Sequence, residues 1–250
     1  MTNFSEIKVS RDGERCTISF NRTEALNAIT PTMLEELNTA ATAASEDDSI
    51  RFVVLTGEGK SFSAGVDLKA LGERELVNGK VGDILDLPAR RLTSTLSSMP
   101  KVTIARVNGF CFTGALELAI SCDLLVVASN AKMGDTHAKF GLRPTWGLSQ
   151  RLPELVGLAK ARELSFTARM FSGEEAAQWG LATEAVALED LDRRIDDLIA
   201  EMSANSSESF VAYKDLYAAS SQLGLKAGLE FEGITDYRFT ETEERLKGFR

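Results

Sequence analysis

Three short runs of β-branched and apolar residues, RFVVLT at 51–56, VTIARV at 102–107 and DLLVVAS at 123–129, alternate with stretches of helical character along the first half of the chain. Strand alternating with helix requires crossover connections, so the pattern predicts an α/β fold with substantial parallel pairing, and such crossovers are nearly always right-handed. Ahead of these runs, EIKVS at 6–10 and RCTISF at 15–20 flank Arg11-Asp12-Gly13 and read as a β-hairpin. Thr30-Pro31 supplies an N-cap and a proline at the first helical position, with Met33, Leu34, Leu37, Ala40 and Ala41 at helical spacing behind it. A further helix is expected at 89–98, before Pro100. The Gly- and charge-rich text from 70 to 92, ending in Pro88, reads as a helix-loop region of the kind that lines substrate clefts.

Beyond Gly141 the character changes. Helices are predicted at 151–168, 172–180, 188–204 and 229–248, and Ser172-x-x-Glu175 is a capping box. No period of 20 to 50 residues is present, which excludes a repeat solenoid. A chain of 250 residues suits one large α/β domain, or a main domain with a helical appendage.

Charge narrows the partners. A formal net charge of −9 disfavours nucleic acid and anionic membrane, both of which need a basic footprint. A polyanionic ligand would need a local basic patch. Cys16, Cys111 and Cys122 are odd in number and lack CxxC spacing, so they read as reduced thiols in a reducing compartment, with no metal site. The first residues, MTNFSEIKVSRDGE, have neither a basic leader nor an apolar stretch, and no run approaches 18 apolar residues. A cytoplasmic protein with no membrane span is expected.

The candidate chemistry lies where a strand gives way to a helix. After VTIARV, the Asn108-Gly109 turn leads to Gly114-Ala115-Leu116-Glu117, from which a helix is predicted. The first N–H groups of a helix lack internal partners, and glycine lets an anionic oxygen approach them closely. Glu117, one turn in, would lie beside that oxygen. Its apolar neighbours Leu116 and Leu118 favour the protonated carboxyl while the helix start favours the charged one, so it suits a proton carrier. A second donor is sought after RFVVLT, where Ser63-Ala64-Gly65-Val66-Asp67-Leu68 follows a Gly57-x-Gly59 turn and Asp67 reads as an N-cap. Alone, either segment is more often an ordinary strand-to-helix turn.

Together these residues resemble the crotonase family, the enoyl-CoA hydratases and isomerases. GxGxxFSAGxDL and NGxxxxGxxELAxxCDL stand in colinear order with Asn21-Arg22-Thr23-Glu24-Ala25-Leu26-Asn27-Ala28, Gly141-Leu142-Arg143-Pro144, Gln150-Arg151-Leu152-Pro153 and Ala176-x-x-Trp179-Gly180-Leu181, so the resemblance spans roughly residues 6 to 248. It implies a spiral of β-β-α units over residues 1–187, carrying the acyl-CoA site, and a C-terminal helical trimerisation region over 188–250. It further implies an acyl-CoA thioester substrate, whose oxygen is held by the N–H groups of Ala64 and Gly114, with Glu117 as catalytic carboxylate. Glu24, Ala25, Leu26 and Ala28, with Ala64, Gly65, Val66, Asp67 and Leu68, match the CoA-contacting segments, and Lys247 to Arg250 offers a phosphate partner. The assembly implied is a homotrimer or dimer of trimers. No cofactor is implied, CoA being part of the substrate.

One position departs from the family. His137, the only histidine, stands where hydratases of this family carry their second catalytic glutamate. Either the imidazole has taken over that role, since it exchanges protons near neutral pH, or it is a structural residue. Asp135 is a spare carboxylate, though its side chain would face elsewhere in an extended segment. Trp146 replaces the small residues common there, and either narrows the acyl pocket or packs in the core. The leading expectation is an enoyl-CoA hydratase of fatty-acid metabolism. The alternatives are a Δ3,Δ2-enoyl-CoA isomerase using Glu117 alone and a non-catalytic acyl-CoA-binding protein.

Overall fold

The computed structural model describes residues 4–69, 72 and 77–247. The hairpin forms as expected: β1 (Ile7–Asp12) and β2 (Arg15–Phe20) pair antiparallel, with Ile7 opposite Phe20. A short turn at Thr23–Ala25 leads to helix α1 (Pro31–Glu46), which buries Met33, Leu34, Leu37, Ala40 and Ala41. Its first turn is closed by the Thr30 hydroxyl, which accepts the Met33 N–H at 3.0 Å. Thr30→Ala is therefore expected to cost about 1 kcal/mol, read as a lower denaturant midpoint at unchanged slope, and Thr30→Ser to restore most of it.

From residue 52 the chain winds in turns of two strands and a helix. The first is β3 (Phe52–Gly57), β4 (Ser61–Ser63) and α2 (Asp83–Ser98). The second is β5 (Val102–Val107), β6 (Phe110–Phe112) and α3 (Gly114–Ala119). The third is β7 (Leu124–Ala128), β8 (Lys132–Gly134), a 3-10 turn at His137–Phe140 and α4 (Leu148–Thr167). After it come β9 (Phe171–Ser172), α5 (Gly173–Gln178), β10 (Glu184–Val186) and α6 (Leu191–Ser203). The first strand of each turn enters a six-stranded sheet ordered β1-β2-β3-β5-β7-β10, parallel except for β1. The second enters a four-stranded sheet, β4-β6-β8-β9, parallel except for β9. This is the β-β-α spiral.

Two buried asparagines hold the corner where the chain leaves one sheet for the other. The Asn27 amide donates to the carbonyls of Glu58 and Ser61, and the Asn108 amide to those of Gly57 and Gly59. Phe20 packs edge-on against Phe62 across the same corner, their centroids 5.0 Å apart.

Several boundaries differ from expectation for identifiable reasons. Helix α2 begins at Asp83 rather than near 89 and carries Pro88 inside it. A proline close to a helix start removes a single backbone bond, and Asp83 and Asp86 in the first turn suit the positive end of the dipole. Helix α4 is broken at Gly157, whose φ of 76° and ψ of 154° are not helical. The helix expected at 229–248 is two, α8 (Leu225–Ile234) and α9 (Thr242–Leu246), and α7 (Ser207–Gln222) precedes them. Residues 70, 71 and 73–76 of the expected cleft-lining stretch lie outside the described residues.

The chain divides into two compact units, the first through Asp196 and the second from Asp197. This division falls within α6, whereas the sequence suggested 187/188. The first turns of that helix belong to the larger unit: Leu191 and Ile195 are buried, and Asp192 and Asp196 pair with Arg106 and Arg15. The second unit is helical and leaves Tyr213, Tyr217, Leu225, Leu229 and Ile234 exposed. Among the described residues no helix is long and apolar enough to cross a membrane, and no cluster of three His, Cys, Asp or Glu residues could hold a metal. All three cysteines are free.

Candidate active site

Strands β4, β6 and β8 run parallel, so the chain leaves all three at one edge of the small sheet. Three segments distant in sequence therefore meet there: 64–68 after β4, 113–117 after β6 and 135–146 after β8. They surround a cavity of about 110 Å³ whose lining includes Ala64, Val66, Gly114, Glu117, His137 and Trp146.

The backbone donors are not quite those expected. The N–H of Ala64 is engaged, donating to the Leu26 carbonyl at 2.9 Å, so it is not open to a ligand. The Asp67 N–H is engaged likewise, by Ile29 at 2.9 Å. Between them Gly65 adopts a φ of 91°, in the region where L side chains are strained, and a Cβ there would stand 2.8 Å from the Phe112 carbonyl oxygen. The kink breaks the alternation of an extended chain and leaves the Val66 N–H without a partner among the described residues. Gly114 opens α3, and its N–H is likewise without one. Thr113 before it sits at a φ of 54°, a conformation a β-branched residue adopts only under constraint. Its N–H donates to Gly134 at 2.9 Å. The donor pair on this cavity is thus Val66 and Gly114, with Ala64 supplying wall.

Glu117 is 1% exposed. One carboxylate oxygen, Oε1, accepts the backbone N–H groups of Trp146 at 2.9 Å and Leu148 at 3.0 Å. The other, Oε2, is 3.6 Å from Nε2 of His137. Burial pushes the Glu117 carboxyl above the ordinary carboxylate range, against the pull of His137 and of the two backbone bonds.

Asp135 does not stand beside the cavity as a second carboxylate, nor does it face away from His137. The chain coils into a 3-10 turn at His137, so that Asp135 Oδ1 lies 2.7 Å from Nδ1 of the imidazole and also accepts the His137 N–H at 3.2 Å. Burial raises the Asp135 carboxyl, but the bonds from His137 and Ser165 outweigh it and hold it below the usual range. An ionised carboxylate only accepts, so Nδ1 keeps a proton in either state of the ring and Nε2 is the nitrogen turned to Glu117. Glu117, His137 and Asp135 form a line of three proton-handling groups, the outermost fixing the orientation of the middle one.

Trp146 is 2% exposed and lines the cavity. Its indole lies against Gly114: a Cβ at that glycine would stand 2.5 Å from Cζ3 of the ring. The ring is therefore both buried and part of the cavity wall. Glu24, Ala25, Leu26 and Ala28 do not line the cavity but lie alongside the 64–68 segment. They are tied to it by the Leu26 to Ala64 bond and by Arg22, whose guanidinium donates to the Ala28 carbonyl at 2.7 Å and to Asp67 at 3.1 Å. Asp67 caps no helix among the described residues; besides pairing with Arg22 it accepts the Lys69 N–H. Leu68 lines the cavity. Of the basic C-terminal stretch, 248–250 lie outside the described residues. Sequence reasoning missed the Val66 donor, the two N–H groups that fix Glu117, and Asp86, buried on α2, which accepts from the Trp146 ring nitrogen at 2.8 Å. None carries a local signal, because each acts through contacts far along the chain.

The arrangement can polarise a carbonyl oxygen with two N–H groups and exchange protons with the carbon chain attached to it. A sequence profile described as enoyl-CoA hydratase/isomerase matches residues 12–250. The short-chain-enoyl-CoA hydratase of Clostridium acetobutylicum is 30% identical over 96% of this chain and 92% of its own. An enoyl-CoA hydratase of Bacillus anthracis superposes with a TM-score of 0.89 at 28% identity, covering 98% of this chain and 96% of that one. A Thermobifida fusca protein solved in complex with acetoacetyl-CoA superposes with a TM-score of 0.82 at 29% identity, covering 97% and 95%.

Proposed function

The chain belongs to the enoyl-CoA hydratase/isomerase family, and from that premise we propose that it adds water across the 2,3 double bond of a 2-enoyl-CoA thioester. In this reading the thioester oxygen accepts from the N–H groups of Val66 and Gly114, and the charge that develops on it as the enolate forms is held there. Each such donor contributes about 3 to 4 kcal/mol in comparable sites. The observation that carries hydration, rather than a proton shift alone, is the 3.6 Å approach of Glu117 Oε2 to His137 Nε2 with Asp135 behind the ring.

The steps balance as follows. A water held between the two groups gives a proton to the Glu117 carboxylate as its oxygen bonds to C3, and the C2–C3 π electrons move into the enolate. Protonated His137, its positive charge stabilised by Asp135, then gives the Nε2 proton to C2 and the thioester carbonyl is restored. The proton on Glu117 passes to His137, and both groups return to their starting state. Protein groups suffice for these steps, and no cofactor is called on. The acetoacetyl-CoA complex of the Thermobifida relative supports the substrate class.

Incubation with crotonyl-CoA while following the enoyl absorbance tests the proposal. Loss of absorbance with formation of 3-hydroxybutyryl-CoA is expected. Conversion of a 3-enoyl-CoA without hydration would replace it by the isomerase reading, and binding without turnover by a carrier. Assembly as a homotrimer or dimer of trimers belongs to the same proposal, supported by the apolar residues exposed on the second unit. A monomer by light scattering at micromolar concentration would remove it. A cytoplasmic location is supported by the three free thiols.

A further inference from the structure

We infer that Trp146, anchored through its ring nitrogen to the buried carboxyl of Asp86, is the wall that confines this site to short acyl chains; the inference rests on the acyl-CoA reading above. The indole lies against the α-carbon of Gly114, the residue whose N–H is assigned to the thioester oxygen. The carbon chain that leaves the thioester starts there and passes Glu117, so the ring stands where the chain would extend. The cavity whose wall it forms has a volume of about 110 Å³.

A tryptophan free to rotate would yield to a longer chain. Here the ring is held at one point and the segment that carries it at two more. Its ring Nε1–H donates to Asp86 Oδ1 at 2.8 Å, its own backbone N–H donates to Glu117 Oε1 at 2.9 Å, and the hydroxyl of the adjoining Thr145 donates to Asp86 Oδ1 at 2.6 Å. Asp86 is fully buried, and its second oxygen, Oδ2, has no hydrogen-bond partner among the described residues. Burying a carboxyl with one oxygen unpaired is costly, and an apolar residue on α2 would pack there without that cost. What an apolar residue cannot do is receive the indole N–H, which buried tryptophans ordinarily pair. Asp86 is therefore a positioning residue: it touches no substrate and acts through the ring it holds.

The test uses butyryl-CoA and decanoyl-CoA, saturated thioesters that cannot be hydrated, so that binding is read apart from turnover. By titration calorimetry the wild-type protein is expected to bind butyryl-CoA about tenfold or more tightly than decanoyl-CoA, the lower end of what a pocket wall achieves per excess methylene. In Trp146→Ala the preference should vanish or reverse. Asp86→Ala should weaken it, whereas Asp86→Asn, which keeps an acceptor oxygen for the indole, should retain it. Adding Asp86→Ala to Trp146→Ala should change nothing further, since the ring through which Asp86 acts is gone. Equal affinities in the wild-type protein, or an unchanged preference in folded Trp146→Ala, overturn the inference. Should Trp146→Ala fail to fold, the wild-type ratio and the contrast between the two Asp86 variants decide it. Preferential butyryl-CoA binding without turnover of crotonyl-CoA would leave the wall standing and remove the hydratase reading; no binding of either thioester removes both.

Discussion

Glu117→Gln is expected to lower kcat for hydration of crotonyl-CoA by about 10³, in the middle of the range for a positioned acid-base group, while leaving KM within a few-fold. Glutamine keeps the oxygen that accepts the Trp146 and Leu148 N–H groups, so the wall of the cavity stays in place and only the proton acceptor is lost. The pH dependence carries the same signature. Burial raises the Glu117 carboxyl, so the catalytic carboxylate is protonated, and activity lost, at a pH above the ordinary glutamate value of about 4.3. The variant should lack that acid limb. Stability runs the other way: a carboxyl whose pKa is raised on folding binds its proton more tightly in the folded state, so its contribution is most favourable at low pH and is lost as pH rises through the folded value. Near neutrality Glu117→Gln should melt no lower than the wild-type protein. A variant that melts lower and keeps its turnover would take Glu117 out of the chemistry.

His137→Ala is expected to depress hydration by about 10² or more. Asp135→Asn should give a smaller loss, because it keeps a partner for the ring but removes the charge that stabilises the protonated imidazole between Glu117 and itself. Isomerisation of a 3-enoyl-CoA, which one carboxylate can carry, should survive both changes better than hydration does. That contrast separates a proton-handling role from a structural one, since a merely loosened cavity would lower both reactions together. Full hydration in His137→Ala would make the imidazole structural and favour the isomerase reading.

What was legible in the chain follows the range of the forces involved. Helix α3 and the placing of Glu117 on it could be read because a strand, an Asn-Gly turn and a glycine-led helix are decided within a dozen residues or so. The hairpin and the Thr30 and Ser172 caps were legible for the same reason. Val66 was not. Which N–H stays free there depends on Leu26 and Ile29 taking those of Ala64 and Asp67, and on a kink at Gly65 that no local pattern announces. The strands of the small sheet were missed because each is three residues or fewer, too short to show a period. The coil at His137, which turns Asp135 towards the imidazole, overrode the extended reading of that segment. Asp86 looked like one more acid in a charge-rich stretch until its helix was seen to extend six residues further back.

The spiral supplies one segment of the site per turn, and this has a kinetic consequence. No single stretch of the chain has any competence by itself, so activity regained after dilution from denaturant must follow the last of the three turns to dock. Loops that span whole turns close late, because their entropy cost precedes the contacts that repay it. Trp146 times the same event, since its ring is buried only once α2 has brought Asp86 and α3 has brought Gly114. In Trp179→Phe, where the tryptophan signal is that of Trp146 alone, fluorescence on refolding should therefore change in step with the return of turnover rather than with the earlier recovery of helical signal.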